Sequence, residues 1–215
     1  MVKQRRINLQ NIFPLINKEA LYKVSWGLKA NAELASQFRE ELESQFENIR
    51  YIFANSGIKG LIYYDIFDVQ VADNCLIFPQ HDIKWCFPTL HNKCIAHSAK
   101  KTGKIVLQIA TLGKGLTRLW KSLEKTKETS KQYYYHGFSV WLTEALAEYH
   151  HDIVHKELGS KQDKERYSFG YSLCPDLTMQ KDLFSLLNID KTKEVTLTVT
   201  HMMVPEQSTS ALIFH

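Results

Sequence analysis

Phe138, Leu142, Ala145, Leu146, Tyr149 and Ile153 fall three and four residues apart. That spacing collects apolar side chains on one face of an α-helix. With Gly159 as a C-terminal stop, it predicts a long helix over about 131–158. Leu34, Phe38, Leu42, Phe46, Ile49 and Phe53 repeat the pattern. They predict a second helix over 31–55, with Glu40, Glu41, Glu43 and Arg39 largely outside the stripe and Gly57 as its stop. Two such stripes must be laid against other layers of structure to leave water.

The remaining segments supply those layers. "KGLIYYDIFDVQVADNCLIF" holds two β-rich runs around the turn signal Ala72-Asp73-Asn74. A short strand is expected at 83–88, ended by Pro88, and another in "GKIVLQIATLG" at 103–113. A brief helix is expected near 17–23, an amphipathic one at 116–126, and a third helix marked by Leu177, Leu183, Phe184 and Leu187. Two β-rich runs follow, at 194–203 and 208–214. Helices and strands do not alternate regularly, so the fold class is α+β with a largely antiparallel sheet, and 215 residues suit one domain spanning 1–215.

Composition narrows the partners. The net charge of +4 is mild and the basic residues are scattered, apart from a short cluster at Lys3–Arg6, which speaks against nucleic acid. No apolar run is long enough to span a bilayer, and no apolar signal core opens the chain, so a cytoplasmic location without membrane association is expected. Cys75, Cys86, Cys94 and Cys174 form no C-x-x-C pair. In a reducing compartment they are expected to be free thiols, mostly buried, and not a zinc site.

Several patterns could carry chemistry. In "HHDIVH", His151 and His155 are four apart and could reach one metal ion. The zinc motif H-E-x-x-H, however, needs a glutamate where Asp152 stands, and no third ligand follows at a standard spacing. Glu144, Glu148, His151 and His155 form a polar stripe beside the apolar face. The plain expectation for that stripe is a solvated helix edge. "LGKGL" lacks the Lys-Ser/Thr of a phosphate loop, and no G-x-S-x-G elbow is present. Tyr133–Tyr135 is expected to be core or rim.

"ERYSFGYSLCPDL" at 165–177 offers more. Arg166 presents a fork of donors suited to a carboxylate. Gly170 lets backbone approach a ligand closely, and Tyr171 gives a flat face and a phenol. A ligand with a carboxylate at one end and an aromatic ring at the other, such as an amino-acid–nucleoside conjugate, suits the set.

The pattern Arg166-x-x-x-Gly170-Tyr171-x-x-Cys174-Pro175 resembles the R-x-x-x-G-Y-P-A-C-P signature of the activation domain of cobalamin-dependent methionine synthase. "LINKEALYKVSWGLK", "IKGLIYYDIFDVQVADNCLIF", "LTEALAEYHHDIVHKELG" and "VPEQSTSALIFH" resemble further segments of that family in the expected order. The resemblance implies a C-shaped α+β domain with a twisted, largely antiparallel sheet and flanking helices. It implies binding of S-adenosylmethionine and its presentation to cob(II)alamin held by cobalamin-binding methionine synthase modules, with an electron from a flavodoxin-like donor. Cobalamin would enter only through that partner. Carried over residue by residue, Arg166 would hold the methionyl carboxylate, and Gly170 and Tyr171 would form the ligand loop. The backbone of Leu173 would meet the adenine edge, and Glu144 would face the site.

Departures from the family pattern carry expectations of their own. Asn17 stands where the family often has an aspartate that pairs with the ligand's ammonium, so affinity is expected to fall. Ser172-Leu173 replaces Pro-Ala and leaves the loop less stiff. The segment after the hairpin is short, and the chain ends at His215 without the family's tyrosine-bearing cover, so a more open site is expected. With Met1 opening the chain, a free-standing activation protein that docks transiently on a corrinoid protein is expected. The rival expectations are a scaffold or sensor of the same fold without S-adenosylmethionine binding, and a metal-dependent enzyme using His151 and His155.

Overall fold

The computed structural model describes residues 3–28, 32–72, 75–87, 102–159, 166–171, 174–190 and 192–214. Nine strands are defined there: β1 (Lys3–Ile7), β2 (Gly60–Ala72), β3 (Cys75–Phe78), β4 (Ile83–Cys86), β5 (Thr102–Thr111), β6 (Arg166–Ser168), β7 (Thr196–Leu197), β8 (Met203–Val204) and β9 (Ser208–Phe214). The helices are α1 (Lys18–Ala20), α2 (Ala32–Asn55), α3 (Gly113–Thr126), α4 (Thr129–Leu158) and α5 (Met179–Leu186), with a π-helical turn at Leu21–Ser25 after α1.

One sheet runs β4-β3-β2-β5-β9-β6, and β1 joins β2 off that path. Its pairings are antiparallel. The fold class expected from the sequence therefore holds. β7 and β8 form a separate two-stranded hairpin, so the run 194–203 yields two short strands in place of one long one.

Alternation along β2 and β5 divides the core into two layers. Ile62, Tyr64, Val106 and Ala110 point to the side covered by α2 and α4. Leu61, Tyr63, Ile105, Leu107 and Ile109 point to the other side, where Trp85, Phe169 and α5 close over them. Cover on both faces explains why β5 reads as a mostly apolar run, broken only by Gln108 between Ile105 and Ala110, and not as an alternating one. The stripe of α2 packs as expected: Leu42, Phe46, Ile49 and Phe53 are buried. Phe46 and Phe53 meet Phe138 of α4 at ring-centroid distances of 5.3 and 5.0 Å.

One expectation is corrected. Cys75 and Cys86 are joined in a disulfide and are not free thiols. They stand directly opposite each other on β3 and β4, with Cα atoms 4.0 Å apart. Only hairpin pairing brings them together, which a search for C-x-x-C spacing does not see. Cys174 is free and buried, its thiol pushed up to about 12 by burial; Cys94 lies outside the described residues. The basic cluster Lys3–Arg6 is tied into the sheet. It belongs to β1, where Arg5 donates to both carboxylate oxygens of Glu157 at 2.6 and 2.8 Å.

Among the described residues, no helix is long and apolar enough to cross a membrane.

Candidate functional site

Glu144 and Glu148 sit one turn apart on α4, on the flank that faces β6. β6 is only three residues long. Its pairing of Arg166 with Ile213 of β9 fixes where the arginine leaves the sheet. From there Arg166 Nη2 donates to Glu144 Oε2 at 2.8 Å, and Nε donates to Glu148 Oε1 at 2.9 Å. The arginine side chain is 11% exposed. Burial pulls its pKa down, but the bonds to Glu144 and Glu148 outweigh that effect and hold it above the usual value. Its remaining terminal nitrogen, Nη1, is buried without a hydrogen-bond partner.

The loop after β6 turns back on itself. Gly170 has φ +87°, in the left-handed region that favours glycine. Its N–H donates to Cys174 O, and the Cys174 N–H donates to Tyr171 O, both at 2.8 Å. Buried Cys174 anchors this turn, while Tyr171 is left 67% exposed. A methyl group at Gly170 would also lie 2.9 Å from Leu177 Cδ2. Gly170→Ala should therefore cost about 1 kcal/mol or more. A thermal melt checks this, and an unchanged midpoint would show that the turn tolerates another backbone.

Beside the loop lies a cavity of about 360 Å³, within the size range of small-molecule sites. Val140, Thr143 and Glu144 of α4 form one wall, and Phe169, Gly170 and Tyr171 a second. Leu177 and Gln180 close it from the α5 side, Met202 and Met203 from the hairpin, and Glu206–Ser210 from the start of β9. Trp85 Nε1 donates to Asp182 Oδ2 at 3.0 Å, which ties α5, and with it Gln180, to the β3–β4 hairpin.

Among the residues singled out in the sequence, Glu144, Gly170 and Tyr171 share this cavity. Arg166 is joined to it through Glu144. Asn17 does not line it; its side chain caps α1, accepting from the Ala20 N–H at 3.0 Å. Leu173 and Ser172 lie outside the described residues. Sequence reasoning missed Gln180, Ser210 and the two methionines of the hairpin, which carry no motif and are assembled only by the fold.

The polar stripe of α4 departs at His151 from the solvated edge expected. His151 is 2% exposed, with Nδ1 3.8 Å from Glu148 Oε2. That histidine and then Arg166 hold the Glu148 carboxyl below the usual carboxylate range. Glu148 stays 59% exposed and Glu144 34% exposed, both paired with Arg166 of β6. The rings of His151 and His155 are 6.3 Å apart. Among the described residues no three His, Cys, Asp or Glu side chains group to hold a metal ion.

An α+β domain with a ligand-sized cavity and a largely buried arginine paired with two glutamates at its edge is the class this geometry defines. The chain belongs to the family described as vitamin B12 dependent methionine synthase, activation domain, whose sequence model matches residues 89–215. It is 30% identical over 128 residues to methionine synthase of Mycobacterium tuberculosis (strain ATCC 25618 / H37Rv), covering 50% of this chain and 11% of that protein. Against methionine synthase of Mycobacterium leprae (strain TN) it is 25% identical over 247 aligned positions, covering 93% of this chain and 20% of that protein. The chain thus spans a fifth or less of the length of these curated relatives. Among solved structures it is similar to the MetH reactivation domain bound to AdoHcy, with a TM-score of 0.82 and 16% identity, over 100% of this chain and 78% of that one. At that identity the likeness shows the fold.

Proposed function

We propose that this domain binds S-adenosylmethionine in the cavity between α4 and the Gly170–Tyr171 turn. It presents the ligand to a cobalamin-binding module of methionine synthase for reductive reactivation. The observation that carries the reading is the charge cluster at the cavity's edge. Arg166 brings a buried guanidinium with one unpartnered nitrogen, and Glu144 brings a carboxylate that also lines the cavity. An amino-acid head group offers the complementary pair: its carboxylate suits Arg166 and its ammonium suits Glu144. Tyr171 presents a ring face suited to stacking on a base. Bound there, S-adenosylmethionine would supply its sulfonium methyl group to cobalamin on the partner, after that cobalamin takes one electron from a flavodoxin-like donor, and would leave as S-adenosylhomocysteine. The chain's own residues hold, orient and shield the ligand. The chemistry belongs to the sulfonium and the cobalt.

Arg166→Ala should weaken S-adenosylmethionine binding by about 1.5–3 kcal/mol, the range for a hydrogen bond to a charged group. Arg166→Lys should recover only part of the loss, because the planar fork is gone. Titration calorimetry on the two variants checks this, and unchanged affinity in both would overturn the assignment.

One observation favours the second reading, a scaffold or sensor of the same fold. Arg166 is already neutralised by two glutamates, so a ligand carboxylate must compete with them. The same calorimetry separates the readings, since a scaffold takes up no S-adenosylmethionine.

A further inference from the structure

Among the described residues, five side-chain nitrogen or oxygen atoms are buried without a hydrogen-bond partner. Buried polar groups are normally paired, so such exceptions call for a cause. Two of the five, Gln180 Oε1 and Ser210 Oγ, belong to residues lining the one cavity described above, and a third is Arg166 Nη1 at its edge. Gln180 is 3% exposed and Ser210 is 2% exposed. A folded chain gains nothing by burying a carboxamide and a hydroxyl unpaired. Their concentration at one cavity is the arrangement left when part of a hydrogen-bonding set belongs to a ligand.

Their place in the cavity limits what they meet. Along β9, Arg166 marks the Ile213 row, and Ser210 lies three residues further on, roughly 10 Å away at strand spacing. On α4 the charges are at Glu148 and Glu144, and the cavity wall continues from Glu144 through Thr143 to Val140. The Thr143 hydroxyl donates to Ser139 O at 2.9 Å and lies 3.3 Å from Gln207 O, so α4 sits against the segment that leads into β9. The cavity therefore has Arg166 and Glu144 at one edge, Glu206 on a second wall, and the uncharged side chains of Ser210 and Gln180 set apart from Arg166.

We infer that Gln180 and Ser210 form a neutral hydrogen-bonding floor that takes the uncharged O–H or N–H donors of a nucleoside, its ribose hydroxyls or its base amine. The inference rests on the functional reading above and adds to it the residues that recognise the nucleoside half. The carboxamide torsion of glutamine is broad, and a serine hydroxyl turns about one bond, so both groups can swing to meet a donor. Neither carries charge, so neither competes for the ammonium or carboxylate at the other end.

The test is calorimetry with S-adenosylhomocysteine, with its 2′-deoxy analogue and with S-inosylhomocysteine, on the wild-type chain, Gln180→Leu and Ser210→Ala. Each variant should bind S-adenosylhomocysteine roughly 3- to 10-fold more weakly, the effect of one neutral hydrogen bond. Its thermal midpoint without ligand should be unchanged or higher, because an unpaired buried group has gone; a purely structural role would lower it. On the wild-type chain, the analogue lacking the recognised donor should lose a similar factor, and it should lose no more on the variant that removes the partner. Loss with the 2′-deoxy analogue assigns the floor to the ribose, and loss with the inosyl analogue assigns it to the base amine.

Folded variants with wild-type affinity would overturn the floor and leave the functional reading standing. A wild-type chain that takes up no S-adenosylhomocysteine would end the functional reading, and the floor with it. If Gln180→Leu does not fold, the analogue series on the wild-type chain still decides. Equal affinity for all three compounds rejects the inference.

Discussion

Phe138→Ala should destabilise the domain by about 3–5 kcal/mol, the usual cost of emptying a buried phenylalanine site. The residue is fully buried and joins three elements. Its ring lies 5.0 Å from Phe53 and 5.3 Å from Phe46, both on α2, and 6.1 Å from Phe13 in the N-terminal segment. No single neighbour can collapse into the space without leaving another. The loss is large beside the roughly 5–15 kcal/mol that holds a domain folded. In a chain of this size it should lower Tm by roughly 6–20 °C. Phe138→Leu, which keeps most of the volume, should cost far less, about 1.5 kcal/mol. Urea unfolding of both variants measures the difference. A loss below about 1 kcal/mol for the alanine variant would show that α2 and α4 do not depend on this contact.

Acid should weaken the fold well before its carboxylates titrate. His150 is fully buried under β1 and β2, with its ring 4.4 Å from that of Tyr64. The Gln108 amide nitrogen donates to Ala147 O at 3.4 Å, which turns Oε1 toward His150 Nδ1 at 2.7 Å. The Nδ1 nitrogen therefore carries the proton, and Nε2 is buried without a partner. A second proton would find no acceptor. Burial first, and then the charges of Arg5 and His151, push the pKa down to about 3.

Because the folded pKa lies below the unfolded one, the sign is fixed. Above about pH 6.5 neither state is protonated and stability is complete. Below it the unfolded chain binds a proton that the folded chain refuses, and stability falls by about 1.4 kcal/mol per pH unit until the folded pKa is reached. Roughly 2–3 kcal/mol should be lost between pH 6.5 and pH 4.5. Denaturant midpoints across that interval should fall for the wild-type chain and stay nearly level for His150→Gln. Parallel slopes would place the acid sensitivity elsewhere.

How much of this was legible in the sequence follows from the range of the interactions involved. The helices α2 and α4 were legible because their stripes repeat every turn, and packing needed only some layer to receive them. Arg166, Gly170, Tyr171 and Glu144 were legible because a spaced motif and a family resemblance marked them. β1 was not, because KQRRI has no apolar alternation. Its stability comes from pairing with Gly60–Tyr64 and from contacts such as Arg5 with Glu157. The disulfide needed the β3–β4 pairing, and the burial of His151 needed the tertiary fold. Gln180 and Ser210 are ordinary residues in an ordinary helix and strand, and only the cavity gives them meaning.

The place of β9 bears on how the molecule is built. Its seven residues lie between β5 and β6, pairing Ile105–Thr111 on one side and Arg166–Ser168 on the other. The first of these pairings closes a very long loop, which is slow to search and brings little local reward on the way. Until Ser208–Phe214 dock, one edge of β5 is an open row of donors and acceptors, the kind of surface that recruits strands from other chains. Ser208, Thr209 and Ser210 also form a wall of the cavity. Assembly of the cavity wall and protection of the sheet against self-association are therefore the same late event, and a chain stalled short of it would lack that wall and be sticky.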